Sequence, residues 1–247
     1  MIKYGPKWVL ERIGYQVVRT QERSPFKAMQ YLCLGSQFPV IFDVGAHHGH
    51  VSLLFRRLFP QSVVYAFEPF PASFEILKRN TSVDPKIKAF NFGFSDTEGA
   101  KPFSINASSA TNSLLETDAR GKEAWGKDLL ETEQRVSLPF TTVDLFLAKM
   151  NIKAIDILKL DVQGAEFQIL RGARASIAAS LCRLVYSEII IQPTYRGQKD
   201  LHEVLQIFNE LGFELHNFYD LSCTNNGKLR QLDAIFTSKE AASSATT

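Results

Sequence analysis

Residues 40–50, VIFDVGAHHGH, determine the fold class of this 247-residue chain. The first five residues, VIFDV, are mostly apolar and end at Gly45, and residues 49–59 then carry apolar side chains at helical spacing as far as Pro60. A buried strand that turns at a glycine into an amphipathic helix is the basic unit of a parallel sheet. We therefore predict an α/β fold that begins at this stretch.

Similar units follow along the chain. Further strands are predicted at residues 62–69 (SVVYAFEP), 87–96 (IKAFNFGFSD), 156–162 (DILKLDV) and 182–191 (CRLVYSEIII). Helices are predicted at residues 71–80, 143–150, 165–173 and 200–213, and Thr141-Thr142 is a candidate cap for the second of these. The stretches ELHNFYDL and RQLDAIFTS have no helix between them, so we expect an antiparallel pair at one sheet edge. The pattern predicts five β/α units, helices on both faces and a terminal hairpin.

Three segments lie outside these units. The units form the main domain, residues 40–238. Residues 1–39 are predicted to form a helical extension and a candidate substrate lid, and residues 239–247 are predicted to be a disordered tail. The polar stretch 108–134 has no clear period and is predicted to be a functional lid or a partly disordered loop. Aromatic residues in these segments could stack on an acceptor or, equally well, seal the sheet edge or a dimer contact: Tyr4, Trp8, Tyr15 and Trp125.

Composition excludes several classes of protein. With 45% hydrophobic and 22% charged residues, the chain is apolar enough to fold, and a net charge of +2 offers no electrostatic footprint for nucleic acid. The three cysteines, Cys33, Cys182 and Cys223, are far apart and lack CxxC spacing, which argues against disulfides or zinc and favours a cytoplasmic location. No apolar run approaches the roughly 20 residues of a membrane span.

The ends of the predicted strands carry candidate ligand-binding residues. Gly45 allows a sharp turn, and Gly49 is expected to let a ligand approach the backbone where the next helix begins. The G-x-x-x-G spacing lacks the dinucleotide fingerprint G-x-G-x-x-G. Glu68 follows the second strand 25 residues after Asp43, where an acid can accept hydrogen bonds from ribose hydroxyls. These features predict a nucleoside ligand without a pyrophosphate.

Three histidines, His47, His48 and His50, lie in the same turn. Imidazoles at this density can bind a transition metal or act as a base near neutral pH. However, adjacent side chains at a tight turn point in different directions, and no other histidine or cysteine is close in sequence. We predict no metal site and leave open a direct part in substrate or cofactor binding.

The order of motifs resembles the FkbM family of class I S-adenosylmethionine-dependent methyltransferases over residues 39–237. The stretches that carry the resemblance are FDVGAHHG, AFEP, NFGFSD, TNSLLE, TTVDLF, LKLDVQGAE and ILRGA. The resemblance implies a Rossmann-like, seven-stranded, mostly parallel sheet with an antiparallel terminal hairpin. It also implies S-adenosylmethionine (SAM) as methyl donor, S-adenosylhomocysteine (SAH) as product, and O-methylation of a hydroxyl on a small molecule or a sugar.

Transferred position by position, the resemblance implies a set of cofactor-binding residues. These are Asp43, Gly45, Ala46, His47 and Gly49 for the methionine part, Glu68 and Pro69 for the ribose, Ser95 and Asp96 for the adenine, and Asp161 beside the methyl group. Two positions depart from the family pattern. His47 stands where asparagine is common, and Gln163 stands where glutamate is usual, which removes one acidic group after the fourth strand.

Methyl transfer to a hydroxyl requires a group that accepts its proton. Asp161 and Glu166 are the first candidates for this catalytic role and Glu188 is the next. Lys159 points to the same face as Asp161 and could keep it ionised or orient the substrate. In the alternative interpretation Asp161 only contacts the cofactor, Glu166 caps its helix and Lys159 is structural.

The sequence thus predicts a cytoplasmic SAM-dependent O-methyltransferase with a small-molecule or carbohydrate acceptor, and it leaves a homodimer open. A non-catalytic nucleoside-binding module is an alternative that Gln163 slightly favours. A nicotinamide-dependent oxidoreductase is a weaker alternative, because the third glycine of its fingerprint is missing.

Overall fold

The computed structural model describes residues 24–125 and 129–240. Predictions for residues 1–23, which include Tyr4, Trp8 and Tyr15, and for residues 241–247 lie outside the described residues. The strands are β1 (Val40–Val44), β2 (Val63–Phe67), β3 (Ile87–Phe90), β4 (Gly93–Phe94), β5 (Gly99–Asn106), β6 (Thr132–Thr141), β7 (Ile155–Leu160), β8 (Cys182–Ile190), β9 (Phe213–Cys223) and β10 (Leu229–Ser238).

Helices lie between most of the strands of the main sheet along the chain. They are α1 (Pro25–Leu32), α2 (His50–Leu58), α3 (Pro71–Thr81), α4 (Gly121–Trp125), α5 (Val143–Met150), α6 (Glu166–Gly172), α7 (Arg174–Ala178) and α8 (Leu201–Glu210), with a 3₁₀ turn at Ser109–Thr111. Within the described ranges, none of them combines the length and the apolar composition needed to cross a bilayer.

The main sheet has seven strands in the order β3-β2-β1-β7-β8-β10-β9. The first five are parallel, and β10 runs antiparallel to both β8 and β9. This arrangement confirms the predicted Rossmann-like sheet and the terminal hairpin. Because β1 lies between β2 and β7, it brings the ends of three ligand-facing strands together at the carboxyl edge.

Both faces of the central strands are buried, which explains why they appear in the sequence as continuous apolar runs. One face packs an aromatic cluster in which the Phe67 ring lies 5.2 Å from Phe42, 4.4 Å from Phe94 and 5.0 Å from Phe146. The other face packs Ile41, together with further apolar residues, against α1, α2 and α3. Packing on both faces therefore fixes the positions of the central strands and of their ends.

A second sheet, with strand order β4-β6-β5, corrects two predictions. Residues 87–96 were expected to form one strand, but β3 ends at Phe90 and β4 pairs with β6 instead. A Cβ atom on Gly93 would lie 2.2 Å from the Phe140 ring, so the glycine permits this close packing. The described part of residues 108–134 is not an irregular loop, because it contains the 3₁₀ turn, α4 and the start of β6.

Helix α5 begins at a side-chain cap, as the sequence predicts. The Thr142 hydroxyl accepts a hydrogen bond from the Leu145 backbone N–H at 3.1 Å. We expect Thr142→Ala to lower the free energy of unfolding by about 1 kcal/mol through loss of this cap, measured by urea denaturation. Thr141→Ala, one residue earlier, is the matched control, and an equal loss there would contradict the capping role.

Candidate active site

A cavity of about 390 Å³ lies at the carboxyl edge of the main sheet, and residues of both the main sheet and the second sheet line it. Its floor includes Gly45, Glu68 and Asp161, which follow β1, β2 and β7. Apolar side chains form the opposite wall, and the segment after β5 contributes polar groups. The wall residues are Phe94, Phe103, Leu114 and Phe140, and the polar residues are Ser108, Ser109, Thr111 and Asn112. The cavity size suits one small organic ligand.

Gly45 allows the loop after β1 to lie directly against the end of β7. Its φ is +74°, and a Cβ atom would lie 1.9 Å from the Asp161 carbonyl oxygen. The backbone N–H groups of Gly45 and Ala46 donate to the Phe67 carbonyl at 3.1 and 3.0 Å. Ala46 itself is buried in the core and lies outside the cavity lining.

Gly49 has a packing role in the described structure. A Cβ atom there would meet Leu77 at 2.7 Å and Thr81 at 2.9 Å, both on α3. The missing side chain therefore permits helix packing, and Gly49 is not among the residues that line the cavity. Its part in ligand binding stays a prediction.

Lys159 is buried beneath the cavity and joins β1 to β7. Its Nζ lies 3.0 Å from Asp43 Oδ1 and 3.5 Å from Asp161 Oδ2, and it donates to the Gly45 carbonyl at 3.0 Å. Burial disfavours the ammonium, but the carboxylates of Asp43 and Asp161 outweigh it and raise the pKa of Lys159. Asp43 is fully buried and also accepts from Ser52 Oγ at 2.6 Å. Neither Lys159 nor Asp43 lines the cavity.

Glu68 is a buried carboxyl group at the cavity floor, with 7% of its surface exposed. The backbone N–H groups of His47 and Phe70 donate to its two oxygens at 3.0 and 2.9 Å. Burial raises the pKa of Glu68 to about 7, although these two hydrogen bonds act in the opposite direction. The next residue, Pro69, also lines the cavity.

His47 connects the β1 loop to the segment after β5. Its Nε2 lies 2.8 Å from Ser109 Oγ, and its ring stacks on His48 at 3.7 Å. Burial and the neighbouring His48 lower the pKa of His47 to about 4, so the ring is neutral at pH 7. His50 is exposed. Among residues 24–125 and 129–240, no group of three or more His, Cys, Asp or Glu side chains is arranged to hold a metal ion.

Two candidate catalytic acids differ in their access to the cavity. Glu188 lines the cavity beside Asp161, and the side-chain amides of Gln163 and Gln231 donate to it at 2.8 and 2.9 Å. Glu166 does not line the cavity, because its Oε1 accepts from the Val162 and Gly164 N–H groups at 3.2 Å each. Burial raises the pKa of Glu166 to about 7. Glu166 thus holds the loop after β7.

The candidate adenine-binding pair, Ser95 and Asp96, also lies outside the cavity lining. Asp96 lies 3.4 Å from Lys101 and 3.7 Å from Arg171 and forms ion pairs with both. Gly93 and Phe94, immediately before this pair, line the cavity instead. The chain leaves the main sheet after β3, and this change of direction shifts the residues that face the ligand.

The sequence reasoning missed several residues near the site. Asn112 and Gln231 line the cavity. Asn112 lies within the motif TNSLLE, which is a signal that could have identified it, whereas Gln231 is marked only by polarity next to an apolar run. Asp233 on β10 is half-buried and accepts a hydrogen bond from the Tyr186 hydroxyl. Burial raises the pKa of Asp233 to about 6.

A Rossmann-like sheet with an antiparallel terminal hairpin has its cavity over the ends of β1, β2 and β7, which is where open α/β sheets bind their ligands. The sequence model of the methyltransferase FkbM domain family matches residues 43–215, which is well over half of the chain. The chain therefore belongs to the FkbM methyltransferase domain family.

Individual relatives are distant. The chain is 31% identical over 155 residues to methyltransferase sdnD of Sordaria araneosa, which covers 54% of this chain and 60% of that protein. It is 27% identical over 175 residues to 2-O-methyltransferase NoeI of Sinorhizobium fredii (strain NBRC 101917 / NGR234). This alignment covers 68% of this chain and 70% of NoeI. The crystal structure of precorrin-6y C5,15-methyltransferase from Geobacter metallireducens GS-15 aligns with a TM-score of 0.45 and 10% identity over 90% of this chain and 93% of that one.

Proposed function

We propose that this chain is a SAM-dependent O-methyltransferase that acts on a hydroxyl group of a small molecule or a carbohydrate. The observation that carries the proposal is the buried Glu68 carboxyl group, held by two backbone N–H groups at the floor of the cavity and next to the Gly45 turn. The name of the relative NoeI, a 2-O-methyltransferase, supports transfer to oxygen.

The described residues fit SAM in three respects. Each Glu68 oxygen accepts one backbone hydrogen bond and keeps a lone pair that can accept from a ribose hydroxyl. The absent side chain of Gly45 leaves backbone at the cavity floor for the methionine part, and the apolar wall of Phe94, Phe103 and Phe140 suits an adenine ring. When bound, SAM supplies a methyl group on a positively charged sulfur, which leaves with the electron pair of the broken carbon–sulfur bond.

Asp161 is the group we assign to accept the proton. Its side chain is 41% exposed, it lines the cavity, and its Oδ2 lies 3.5 Å from the Lys159 ammonium. As the acceptor oxygen bonds to the methyl carbon, the hydroxyl proton passes to Asp161. Glu188 lies beside it and is the second carboxyl group at this end of the cavity.

Two measurements test the proposal. Isothermal titration should detect SAH binding, and radiolabelled SAM incubated with metabolite extracts should yield a product that has gained one methyl group. Absence of SAH binding at millimolar ligand would refute the cofactor assignment. Binding without transfer to any acceptor would favour the non-catalytic module, and a larger thermal shift with NADH than with SAH would favour the oxidoreductase.

The ribose contact is tested by Glu68→Gln. We expect SAH affinity to fall by about 10- to 100-fold at pH 8, because a charged acceptor is lost at a cost of about 1.5–3 kcal/mol. The wild-type affinity should rise between pH 6 and pH 8, since the ionised form of Glu68 accepts ribose hydroxyls and its pKa is about 7.

The control for this variant is Glu75→Gln, which changes an exposed glutamate on α3. It should leave both the affinity and the pH dependence as in the wild type. If Glu68→Gln keeps the pH dependence of the wild type, Glu68 is not the titrating group that contacts the ligand.

A further inference from the structure

The side-chain amide of Gln163 joins the two carboxyl groups at one end of the cavity. Its Nε2 lies 3.1 Å from Asp161 Oδ1 and 2.8 Å from Glu188 Oε2. An amide nitrogen has two N–H bonds, so these two contacts use its full donor capacity. Both acids and Gln163 line the cavity. The amide is therefore a fixed bridge between the candidate proton acceptor and its neighbouring acid.

The other side of the amide contacts Tyr195. The buried Tyr195 hydroxyl lies 3.1 Å from Gln163 Oε1 and 2.9 Å from the Thr111 carbonyl oxygen, and it can donate its single hydrogen to either oxygen. A flipped amide would place its oxygen against both acids and lose two hydrogen bonds. Ser113 Oγ donates to the Gln163 backbone carbonyl at 2.7 Å rather than to the side-chain amide.

The surroundings of the bridge are acidic. Burial, Asp161 and Glu166 raise the pKa of Glu188 well above its usual range. The charged and titratable groups that face Glu188 are Lys159 and Asp161 from β7 and its end, Glu166 from α6, Asp233 from β10 and Tyr195 from the loop after β8. A carboxylate at position 163 would add negative charge between two acids, whereas the glutamine adds none and donates to both.

We propose that Gln163 is a positioning residue that fixes the orientation of Asp161 in the cavity and stabilises the ionised form of Glu188 by donating to it. The inference rests on the proposed methyl transfer. Gln163 acts through the two acids, so its loss should change proton transfer more than cofactor binding. Tyr195 can support this role by donating to Gln163 Oε1.

The charge part of the proposal can be tested without a known acceptor. In protein carrying ¹³C-labelled glutamate side-chain carboxyl groups, the Glu188 signal is assigned by its loss in Glu188→Gln and followed by NMR from pH 4 to pH 10. We expect Gln163→Glu to raise the midpoint of this titration by about one unit or more, because a like charge is introduced within hydrogen-bonding distance. Gln163→Met should raise it by less, because only the donor is lost.

Ser113→Ala is the matched control, since it removes the hydrogen bond to the Gln163 backbone and leaves the amide bridge in place. It should leave the Glu188 midpoint unchanged. If the midpoint is also unchanged in Gln163→Glu and Gln163→Met, the charge part of the proposal is overturned. SAH binding by the wild type is measured in parallel. Absence of SAH binding would count against the proposed function, whereas an unchanged Glu188 midpoint would count against the role of Gln163.

The positioning part is tested by rate. With an acceptor from the label-transfer screen, Gln163→Met should lower kcat by about 10- to 100-fold, the cost of a misplaced catalytic group, and leave the KM for SAM nearly unchanged. A kcat equal to that of the wild type would overturn this part. A change confined to KM would overturn it as well, because it would assign Gln163 to binding.

Discussion

Asp161→Asn is expected to slow methyl transfer by about 10²- to 10⁴-fold, the usual contribution of a positioned proton acceptor. Asparagine has nearly the same shape as aspartate but cannot take the hydroxyl proton. The Asp161 side chain reaches the cavity, while Glu166 is occupied by backbone N–H groups and Lys159 lies beneath the floor. The measurement is kcat with labelled SAM at saturating cofactor and acceptor.

The control for this substitution is Asp220→Asn. Asp220 is exposed on β9 with φ +46°, a backbone conformation that asparagine also tolerates, so its activity should match the wild type. If Asp161→Asn retains most of the wild-type kcat while Glu188→Gln does not, the proton acceptor is Glu188. In that case the assignment of Asp161 is wrong.

Gly45→Ala is expected to lower the free energy of unfolding by about 2–5 kcal/mol and to abolish detectable SAH binding. The left-handed backbone costs about 1–2 kcal/mol for a residue with a Cβ atom, and forced overpacking costs about 1–3 kcal/mol more. The new Cβ would lie 1.9 Å from the Asp161 carbonyl oxygen, so the β1 loop and the end of β7 must separate. Urea denaturation and isothermal titration measure the two effects.

Gly212→Ala separates the cost of the left-handed backbone from the cost of overpacking. Gly212 has φ +83°, and no atom lies within 4 Å of a Cβ placed there, so only the backbone cost of about 1–2 kcal/mol applies. SAH binding should be unaffected by it. Equal destabilisation by both substitutions would show that the contact between Gly45 and Asp161 adds nothing.

The main sheet was predictable because its signals are local. The central parallel strands β1, β2, β7 and β8 are mostly buried on both faces and stand next to helices, so the apolar runs and the helical periodicity identify them. The second sheet was missed because its pairing is not local: Gly99 pairs with Phe140, and outward-facing polar residues of β6 interrupt the apolar pattern. A polar stretch without a helical period was therefore interpreted as a loop.

The candidate site was predictable only as far as the strand ends. Glu68 and Asp161 lie at the cavity because a residue that directly follows a parallel strand faces the ligand edge. The directions of neighbouring side chains depend on tertiary contacts. Thus Gly49 serves helix packing, Asp96 pairs with two basic residues, and Glu166 turns back onto its own loop.

The pairing of β4 with β6 brings the two ends of an inserted segment together. Phe94 pairs with Thr141, and the Ser95 N–H donates to the Thr141 carbonyl at 2.9 Å, so the chain leaves and re-enters the domain at nearly the same point. Closing a loop whose ends already meet costs little extra entropy as its length changes. The segment between β4 and β6, which supplies Phe103 and Leu114 to the cavity wall, can therefore change in length without displacing Gly45, Glu68 and Asp161 on the cavity floor.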